Sequence, residues 1–192
     1  MNEGPKISER IPEIKISQAV PEDASGIRDV QRDAWIATYP NEEYGIMRED
    51  VEAKNWGDER VERWKKRIEE LGNERRIWSA KERNKVVGFC VAAKGIDSGQ
   101  IEALYISPEY QGRHVGSNLM KEAVAWLNPE HDAIVEVAKY NEKAISFYKA
   151  FGFEGEEDIT DTAFVANLAS GKVIPEVRMT RKASKEVGKV SQ

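Results

Sequence analysis

The stretch that decides the fold is 99–153, GQIEALYISPEYQGRHVGSNLMKEAVAWLNPEHDAIVEVAKYNEKAISFYKAFGF. Its first apolar run is predicted to be a strand that ends at about Ile106, because Pro108 cannot donate to a sheet. From Ser117 the apolar residues recur at helical spacing, and AIVEVAKY and NEKAISFYKAFGF then repeat the change from strand to helix. The stretch therefore predicts a β-α-β-α unit with a cofactor-sized gap.

The segment 111–116 is predicted to be the loop that enters the first of these helices. The backbone N–H groups of a first helical turn have no partner within the helix, and together with the positive end of the helix dipole they attract anions. Gly112 and Gly116 would let a phosphate approach the backbone, and Arg113 would add a charged contact. On the glycines alone, an ordinary tight turn is the favoured interpretation.

The second helix of the unit has recognisable signals at both ends. Asn141 is a good N-cap, and Gly152 fits the left-handed position after the last turn, with Phe153 folding back on Tyr148. Tyr148 belongs to the buried stripe, which is formed by Ala144, Ile145, Tyr148 and Phe151. A buried tyrosine hydroxyl needs a hydrogen-bond partner. Tyr148 is therefore either a core residue whose hydroxyl is hydrogen-bonded within the protein or an acid placed at the wall of the gap.

Together, SPEYQGRHVGSNLM and N-x-x-A-x-x-F-Y-x-x-x-G-F resemble the motifs of the GNAT superfamily of N-acetyltransferases. The resemblance covers about 85–153. It implies an α/β acyl-CoA N-acyltransferase fold, in which a mixed central sheet has splayed strands and helices on both faces. It also implies acetyl-CoA as co-substrate, entering where strands 100–106 and 133–139 part. No metal is expected, since two isolated histidines do not make a metal site.

The resemblance also assigns roles to individual residues. The strand backbone at Leu104, Tyr105 and Ile106 would contact the pantetheine of the cofactor, Asn141 would contact the cofactor, and Tyr148 would protonate the departing thiolate. The pyrophosphate would be held by the loop, which comprises Gln111, Gly112, Arg113, His114, Val115, Gly116 and Ser117. The family usually has glycine where this chain has His114. This difference bears on the local backbone geometry of the loop and not on the assignment to the family.

Transfer of an acyl group to an amine requires a base. A primary amine has a pKa of about 10.4 and is mostly protonated at neutral pH, so a carboxylate must remove a proton directly or through water. Glu102 is the first candidate because it lies mid-strand beside the gap, and Glu136 is the second. Glu102 could equally face solvent. A backbone N–H of 104–106 would hold the oxyanion.

The acceptor site is expected along the helical region 22–72. Its segment 41–58 is acidic, which suggests a cationic small amine such as a polyamine. The stretch Ala34-Trp35…Thr38-Tyr39-Pro40 is also similar to polyamine-acetylating members, so Trp35, Tyr39 and Glu43 are the predicted substrate-binding residues. Two alternatives remain: acetylation of a peptide or protein amine, and a module that senses acetyl-CoA without turnover.

Composition narrows the remaining classes of function. The chain has 192 residues and a formal net charge of −5, which suits one domain with its own core and argues against nonspecific nucleic-acid binding. No apolar run is long enough to span a membrane, and no signal-peptide pattern is present. The single cysteine, Cys90, excludes an internal disulfide and suits the cytoplasm. A homodimer is one arrangement that the sequence allows.

The predicted order of elements is β-α-α-β-β-β-α-β-α-β. Residues 14–182 are expected to form one domain, between a flexible segment, 1–13, and a polar tail, 183–192. The first helix is expected to bury Ile27, Val30, Ala34 and Ala37, and 41–58 is expected to be irregular. The run 86–93 is almost continuously apolar, which indicates a central strand, and Cys90 within it is interpreted as buried filler.

Overall fold

A seven-stranded mixed sheet runs through the computed structural model, which describes residues 13–159 and 168–184. Its strands are β1 (Ile14–Gln18), β2 (Arg75–Glu82), β3 (Lys85–Lys94), β4 (Ser98–Ile106), β5 (Asp132–Ala138), β6 (Glu154–Asp158) and β7 (Glu176–Arg181). In space their order is β1-β2-β3-β4-β5-β7-β6, and every neighbouring pair is antiparallel except β4 and β5. The predicted α/β fold with a mixed sheet is confirmed.

Within the described residues, five α-helices cover the two faces of this sheet. They are α1 (Ala24–Thr38), α2 (Arg48–Glu52), α3 (Asp58–Glu69), α4 (Val115–Trp126) and α5 (Glu142–Ala150). On one face, Ile27 of α1 and Trp64 of α3 pack on Phe89 of β3. On the other face, Leu119 of α4 and Tyr148 of α5 belong to the same core cluster as Cys90. Because both faces are covered, β3 is buried along most of its length, as its apolar sequence predicted.

The parallel strands β4 and β5 stay paired for only part of their length. Their register joins 98–101 to 132–135, and beyond Ile101 and Val135 the two strands no longer pair. On its other side β4 carries a bulge, because Ile101 and Ala103 pair with successive residues of β3 and leave Glu102 without an opposite residue. A bulge bends its strand and increases the local twist. The predicted splaying of these two strands is confirmed.

Several boundaries differ from the sequence-based expectations. The segment 41–58 contains the short helix α2, and the acidic run Glu154–Asp158 forms an edge strand that the sequence did not suggest, since all five of its residues are exposed. Ala37 is exposed, because the end of α1 turns Trp35 instead toward a third cluster with Ile46 and Val51. The helix α4 begins at Val115, two residues earlier than expected.

The predicted terminal segments lie almost entirely outside the described residues. Glu13 is described at one end, and Ala183 and Ser184 at the other. The backbone N–H of Ala183 donates to the Asp132 carboxylate at 2.9 Å, and that of Ser184 donates to the Pro129 carbonyl at 2.8 Å. The start of the predicted tail is therefore tied to the neighbourhood of β5.

The end of α5 fixes the position of Tyr148. Gly152 adopts φ +81°, its N–H donates to the Lys149 carbonyl at 3.0 Å, and the Phe153 N–H donates to the Tyr148 carbonyl at 3.2 Å. These two bonds form the Schellman motif that the sequence predicted. The Phe153 ring, fully buried, packs edge-on against the Tyr148 ring at 5.9 Å between centroids.

Gly152→Ala is expected to lower the free energy of unfolding by about 1–2 kcal/mol, because an L side chain is disfavoured at positive φ. No atom stands closer than 3.8 Å to the added Cβ, so backbone strain is the only cost. Gly72→Ala is the matched control, since Gly72 has no positive φ and its Cβ would meet nothing within 4 Å. Urea denaturation measures both, and equal stabilities of the two variants would contradict the Schellman interpretation.

Candidate functional site

The parting of β4 and β5 exposes two strand edges to each other. Past Ile101 and Val135, no strand within the described residues pairs with the side of β4 that faces β5. Backbone groups on this side, in the segment 102–106, therefore have no ladder partner, although β3 still pairs with the other side. Unpaired strand edges of this kind can bond the amides of an extended ligand, and the contact of Leu104, Tyr105 and Ile106 with pantetheine stays a prediction.

The loop before α4 offers backbone donors to an anion. The first backbone hydrogen bond of α4 runs from the Asn118 N–H to the His114 carbonyl at 3.0 Å, and no side chain caps the helix. The N–H groups of Val115, Gly116 and Ser117 thus belong to the uncapped first turn. Gly112 has φ +77°. Donors of this kind at a helix N-terminus attract anions, and their contact with a pyrophosphate stays a prediction.

His114 takes the conformation that a glycine would take at its position. Its φ is +61° and its ψ is 8°, which places it in the left-handed region immediately before α4. Histidine is one of the non-glycine residues that are enriched there. His114 therefore occupies a backbone conformation that glycine would also adopt.

The side chains of the loop are held by neighbours. The Arg113 guanidinium donates to Glu82 at 2.8 Å and lies 4.6 Å from the centroid of the Tyr110 ring, so its charge is compensated, and the hydrogen bond to Glu82 raises the pKa of Arg113. Gln111 accepts from the Lys143 ammonium at 2.6 Å. Lys143 lies at the start of α5 and brings a positive charge to this loop, which the sequence analysis did not foresee.

Asn141 is confirmed as the N-cap of α5. Its side-chain oxygen accepts from the Ala144 N–H at 3.1 Å, and its carbonyl accepts from the Ile145 N–H at 3.0 Å. The amide nitrogen of the side chain takes no part in this cap. Asn141 follows β5 closely, so the cap holds its side chain near the place where β5 has left β4.

A cavity of about 430 Å³ lies on the face of the sheet that α1 and α3 cover, beside the opening between β4 and β5. Its wall combines aromatic rings with charges of both signs. The aromatic residues are Trp35, Tyr39, Trp64 and Tyr105, the acidic ones Glu102, Glu136 and Glu176, and the basic ones Arg60, Arg63 and Arg67. A cavity of this size and composition accommodates a small polar molecule or one extended side chain.

The predicted base, Glu102, lines this cavity but is heavily engaged. Its carboxylate accepts from Arg67 at 2.5 Å and from two nitrogens of Arg75, at 2.6 Å and 3.0 Å. The second candidate, Glu136, accepts from Arg178 at 2.7 Å. Both carboxylates of the sequence analysis therefore reach the site, and both are paired with arginine.

Glu176, at the start of β7, differs from these two carboxylates. No hydrogen bond or ion pair of its side chain is found within the described part of the chain. Burial, and next the charge of Glu136, raise the pKa of Glu176 to about 7. The sequence analysis missed this residue. The alternation of Glu176, Arg178 and Thr180 with buried Val177 and Met179 was the available signal, but it did not show which face looks into a cavity.

Two tyrosine hydroxyls meet at the cavity wall, and a third lies behind them. The hydroxyls of Tyr39 and Tyr105 are 3.0 Å apart, and Tyr140 donates to the Tyr39 carbonyl at 2.8 Å.

Tyr148 does not line the cavity; it belongs to the core on the opposite face of the sheet. Burial raises the pKa of Tyr148 above its usual value, and the electrostatic effects of Cys90 and Tyr105 raise it further. Tyr148 is therefore protonated at neutral pH.

Only two of the three residues predicted to bind the acceptor lie at the cavity. Trp35 and Tyr39 line the cavity, with their rings 4.7 Å apart, whereas Glu43 is exposed on a turn and does not line it. Two acids of the same segment have partners outside the cavity: Asp50 accepts from Lys172 at 2.7 Å, and Glu52 accepts from Arg48 at 2.6 Å. The acidic segment thus does not supply the charges of the cavity wall.

Two negative findings hold for the residues that the structure describes. In 13–159 and 168–184, no group of three or more His, Cys, Asp or Glu side chains is arranged to hold a metal ion. Across the same residues, no helix has both the length and the apolar character needed to cross a lipid bilayer.

Curated proteins that resemble this chain match over part of their length. A peptidyl-lysine N-acetyltransferase of Escherichia coli, YjaB, is 36% identical over 89 residues, which are 44% of this chain and 55% of YjaB. An uncharacterised N-acetyltransferase of Methanocaldococcus jannaschii is 35% identical over 60 residues, 30% of this chain and 26% of that protein. The matched region therefore spans from a quarter to about half of these relatives.

The fold itself has close counterparts among solved structures. The PaiA N-acetyltransferase of Thermoplasma acidophilum, solved in complex with coenzyme A, superposes with a TM-score of 0.61 at 21% identity, covering 88% of this chain and 99% of that one. The sequence profile of the acetyltransferase (GNAT) family matches residues 28–153, which include the parted strands, the loop and α5. The chain therefore belongs to the acetyltransferase (GNAT) family.

Proposed function

We propose that this protein transfers the acetyl group of acetyl-CoA to a primary amine by direct attack. The observation that carries the proposal is the opening between β4 and β5, which lies beside a cavity whose wall includes Glu176, a carboxylate without a partner among the described residues. Acetyl-CoA supplies the thioester whose acetyl group is transferred. The family membership supports the same reaction class.

The donor would be held by backbone groups more than by side chains. Val115, Gly116 and Ser117 offer N–H groups for the pyrophosphate, with Lys143 nearby. The free edge of 104–106 would bond the pantetheine amides, and one of its N–H groups would donate to the oxygen of the acyl group. Asn141 would add its unused amide nitrogen. The donor would thus lie between the two faces of the sheet.

Glu176 is the base that the geometry favours. A base needs a free lone pair and a pKa near the working pH, and Glu176 has both. The carboxylate of Glu102, predicted as the base, accepts from two guanidiniums, and losing either bond would cost stability. In the proposed reaction Glu176 takes a proton from the amine, directly or through water. The new C–N bond forms as the C–S bond breaks.

Tyr148 is proposed as the acid that protonates the thiolate. It lies on the face of the sheet opposite the cavity, so the opening between β4 and β5 separates it from the amine. The base and the acid would therefore act from opposite sides of the reacting bond. Burial keeps the phenol protonated until the sulfur leaves.

The nature of the acceptor is a separate question. A small cationic amine such as a polyamine remains the prediction of the acidic segment 41–58, although that segment does not line the cavity. The similarity to YjaB, named a peptidyl-lysine N-acetyltransferase, favours acetylation of a lysine side chain as the second candidate. A module that only senses acetyl-CoA would bind the donor and release no thiol.

Release of the CoA thiol, measured with a panel of amines, tests the proposed reaction. The panel contains spermidine, cadaverine, free lysine and a lysine-containing peptide with blocked ends. We expect amine-dependent release with at least one of them, and mass spectrometry should show an acetylated product. Binding of acetyl-CoA by calorimetry without thiol release from any amine would identify a sensor and reject the catalytic proposal.

Tyr148→Phe is expected to lower kcat by about a hundredfold to ten-thousandfold, because it removes the proton donor and keeps the ring. The affinity for acetyl-CoA should change little. Tyr44→Phe serves as the matched control, since this exposed tyrosine lies outside the cavity wall. Steady-state kinetics and calorimetry measure both variants, and wild-type turnover by the Tyr148→Phe variant would remove Tyr148 from the mechanism.

The pH dependence of kcat/KM distinguishes the two candidate bases. A base acts when it has lost its proton, so activity should fall as pH drops below about 7, the pKa of Glu176. Glu176→Gln should lose this limb and about a hundredfold of activity. Glu157→Gln on the exposed edge strand is the control. A limb that survives in Glu176→Gln and disappears in Glu102→Gln would instead make Glu102 the base.

A further inference from the structure

The helix α3 contributes three arginines to the wall of the cavity beside the opening between β4 and β5. Arg60, Arg63 and Arg67 are spaced three and four residues apart, which places them on one face of the helix, and all three line the cavity. Arg67 is paired with Glu102 at 2.5 Å. For Arg60 and Arg63, no ion pair with a carboxylate is found among the described residues. Two guanidiniums at the cavity wall therefore form no ion pair with a described carboxylate.

Arg60 is the more enclosed of the two. Its guanidinium lies 5.2 Å from the centroid of the Trp56 ring, and its Nε is buried without a hydrogen-bond partner in the described part of the chain. Burial, and next the charge of Arg63, lower the pKa of Arg60. A buried donor on a cation is costly to leave unpaired. An anion that entered the cavity would remove this cost.

Arg63 stands at the exposed rim of the same cavity. Its Nε donates weakly, at 3.4 Å, to the Glu59 carbonyl within α3. No other hydrogen bond of its guanidinium is found among the described residues. Arg63 can therefore swing toward a ligand without breaking an ion pair with a described carboxylate.

Trp35 places a buried indole N–H in the same wall, with its side chain 7% exposed. This N–H interacts with the Tyr105 hydroxyl outside good hydrogen-bond geometry, so it is only weakly satisfied within the described residues. Gln31 accepts from the Trp64 indole at 3.2 Å, and this bond occupies its oxygen and leaves its amide nitrogen as a donor. The wall near α1 and α3 thus offers donors to a ligand that brings acceptor atoms.

We propose that the acceptor carries an anionic group as well as its amine, and that Arg60 and Arg63 bind the anionic group while the amine faces Glu176. This inference rests on the proposed acetyl transfer and specifies its substrate class. A guanidinium offers a planar fork of donors that matches a carboxylate or a phosphate. An amino acid, or another small amine with a carboxylate, is the class to which the cavity points.

The predicted polyamine fits this wall less well. It would bring two or more positive charges into a cavity where Arg60 and Arg63 already lack described anionic partners. Of the three carboxylates at the wall, Glu102 and Glu136 are paired with arginines, and Glu176 alone remains for a cation. One site for an amine and one for an anion therefore describe the charges better than two sites for amines.

Matched pairs of acceptors test the inference. Lysine is compared with cadaverine, which is the same chain without the carboxylate, and O-phosphoethanolamine is compared with ethanolamine. We expect kcat/KM to favour the anionic member of at least one pair by about tenfold or more, the effect of one charge-assisted hydrogen bond. The pair with the larger ratio tells whether a carboxylate or a phosphate is the preferred group.

The double variant Arg60→Gln/Arg63→Gln should lose most of this preference, mainly through a higher KM for the anionic acceptor. Lys65→Gln/Lys66→Gln is the matched control, because it removes the same charge from the same helix at exposed positions that do not line the cavity. The control should keep the preference. Circular dichroism and calorimetry with acetyl-CoA verify that both proteins are folded and bind the donor.

The outcomes separate this inference from the proposed function. Thiol release that favours spermidine or cadaverine, or a preference that the double arginine variant retains, rejects the anionic acceptor and leaves acetyl transfer standing. If no amine is turned over, acetyl transfer fails, and titration with lysine and with O-phosphoethanolamine, followed by tryptophan fluorescence, decides the anion site. Saturable quenching that the arginine variant loses supports the site, and unchanged fluorescence rejects it.

Discussion

The structure depends on a hydrogen-bond ladder that stops early. Parallel strands β4 and β5 share a register over 98–101 and 132–135 and then diverge, although each continues for several residues. Each strand keeps its other neighbour, so the sheet remains continuous on both sides of the opening. The backbone groups left unpaired at this opening can form hydrogen bonds with a ligand that has amide groups.

The charges around this opening are arranged so that one acid differs from the rest. Arginines from α3, β2 and β7 form ion pairs with Glu102 and Glu136. Glu176 is buried and is repelled by the charge of Glu136. Both effects raise its pKa and so favour its protonated form. The same cavity thus contains two carboxylates paired with arginines and one carboxylate suited to proton transfer. They differ because no described arginine pairs with Glu176.

Local signals in the sequence predicted the parts of this site that depend on neighbours along the chain. The cap at Asn141, the Schellman turn at Gly152 and the loop before α4 all involve residues within a few positions of one another. Long-range pairing was beyond such signals. The partners of Glu102 lie 35 and 27 residues away, and the position of Glu176 depends on how β7 pairs with β5. The exposed strand β6 was missed because it has no apolar alternation.

The acidic character of β6 has a consequence for the sheet as a whole. This strand is the last in the order, so its outer side is an edge with which no described strand pairs. Such an edge can template pairing with another chain, and proteins guard it with charge and with irregular backbone. In β6 the sequence is EGEED, Gly155 has φ +75°, and the register to β7 shifts between Glu154 and Glu157. A second copy laid against this edge would oppose acid with acid, which protects the sheet from growing into fibrous aggregates.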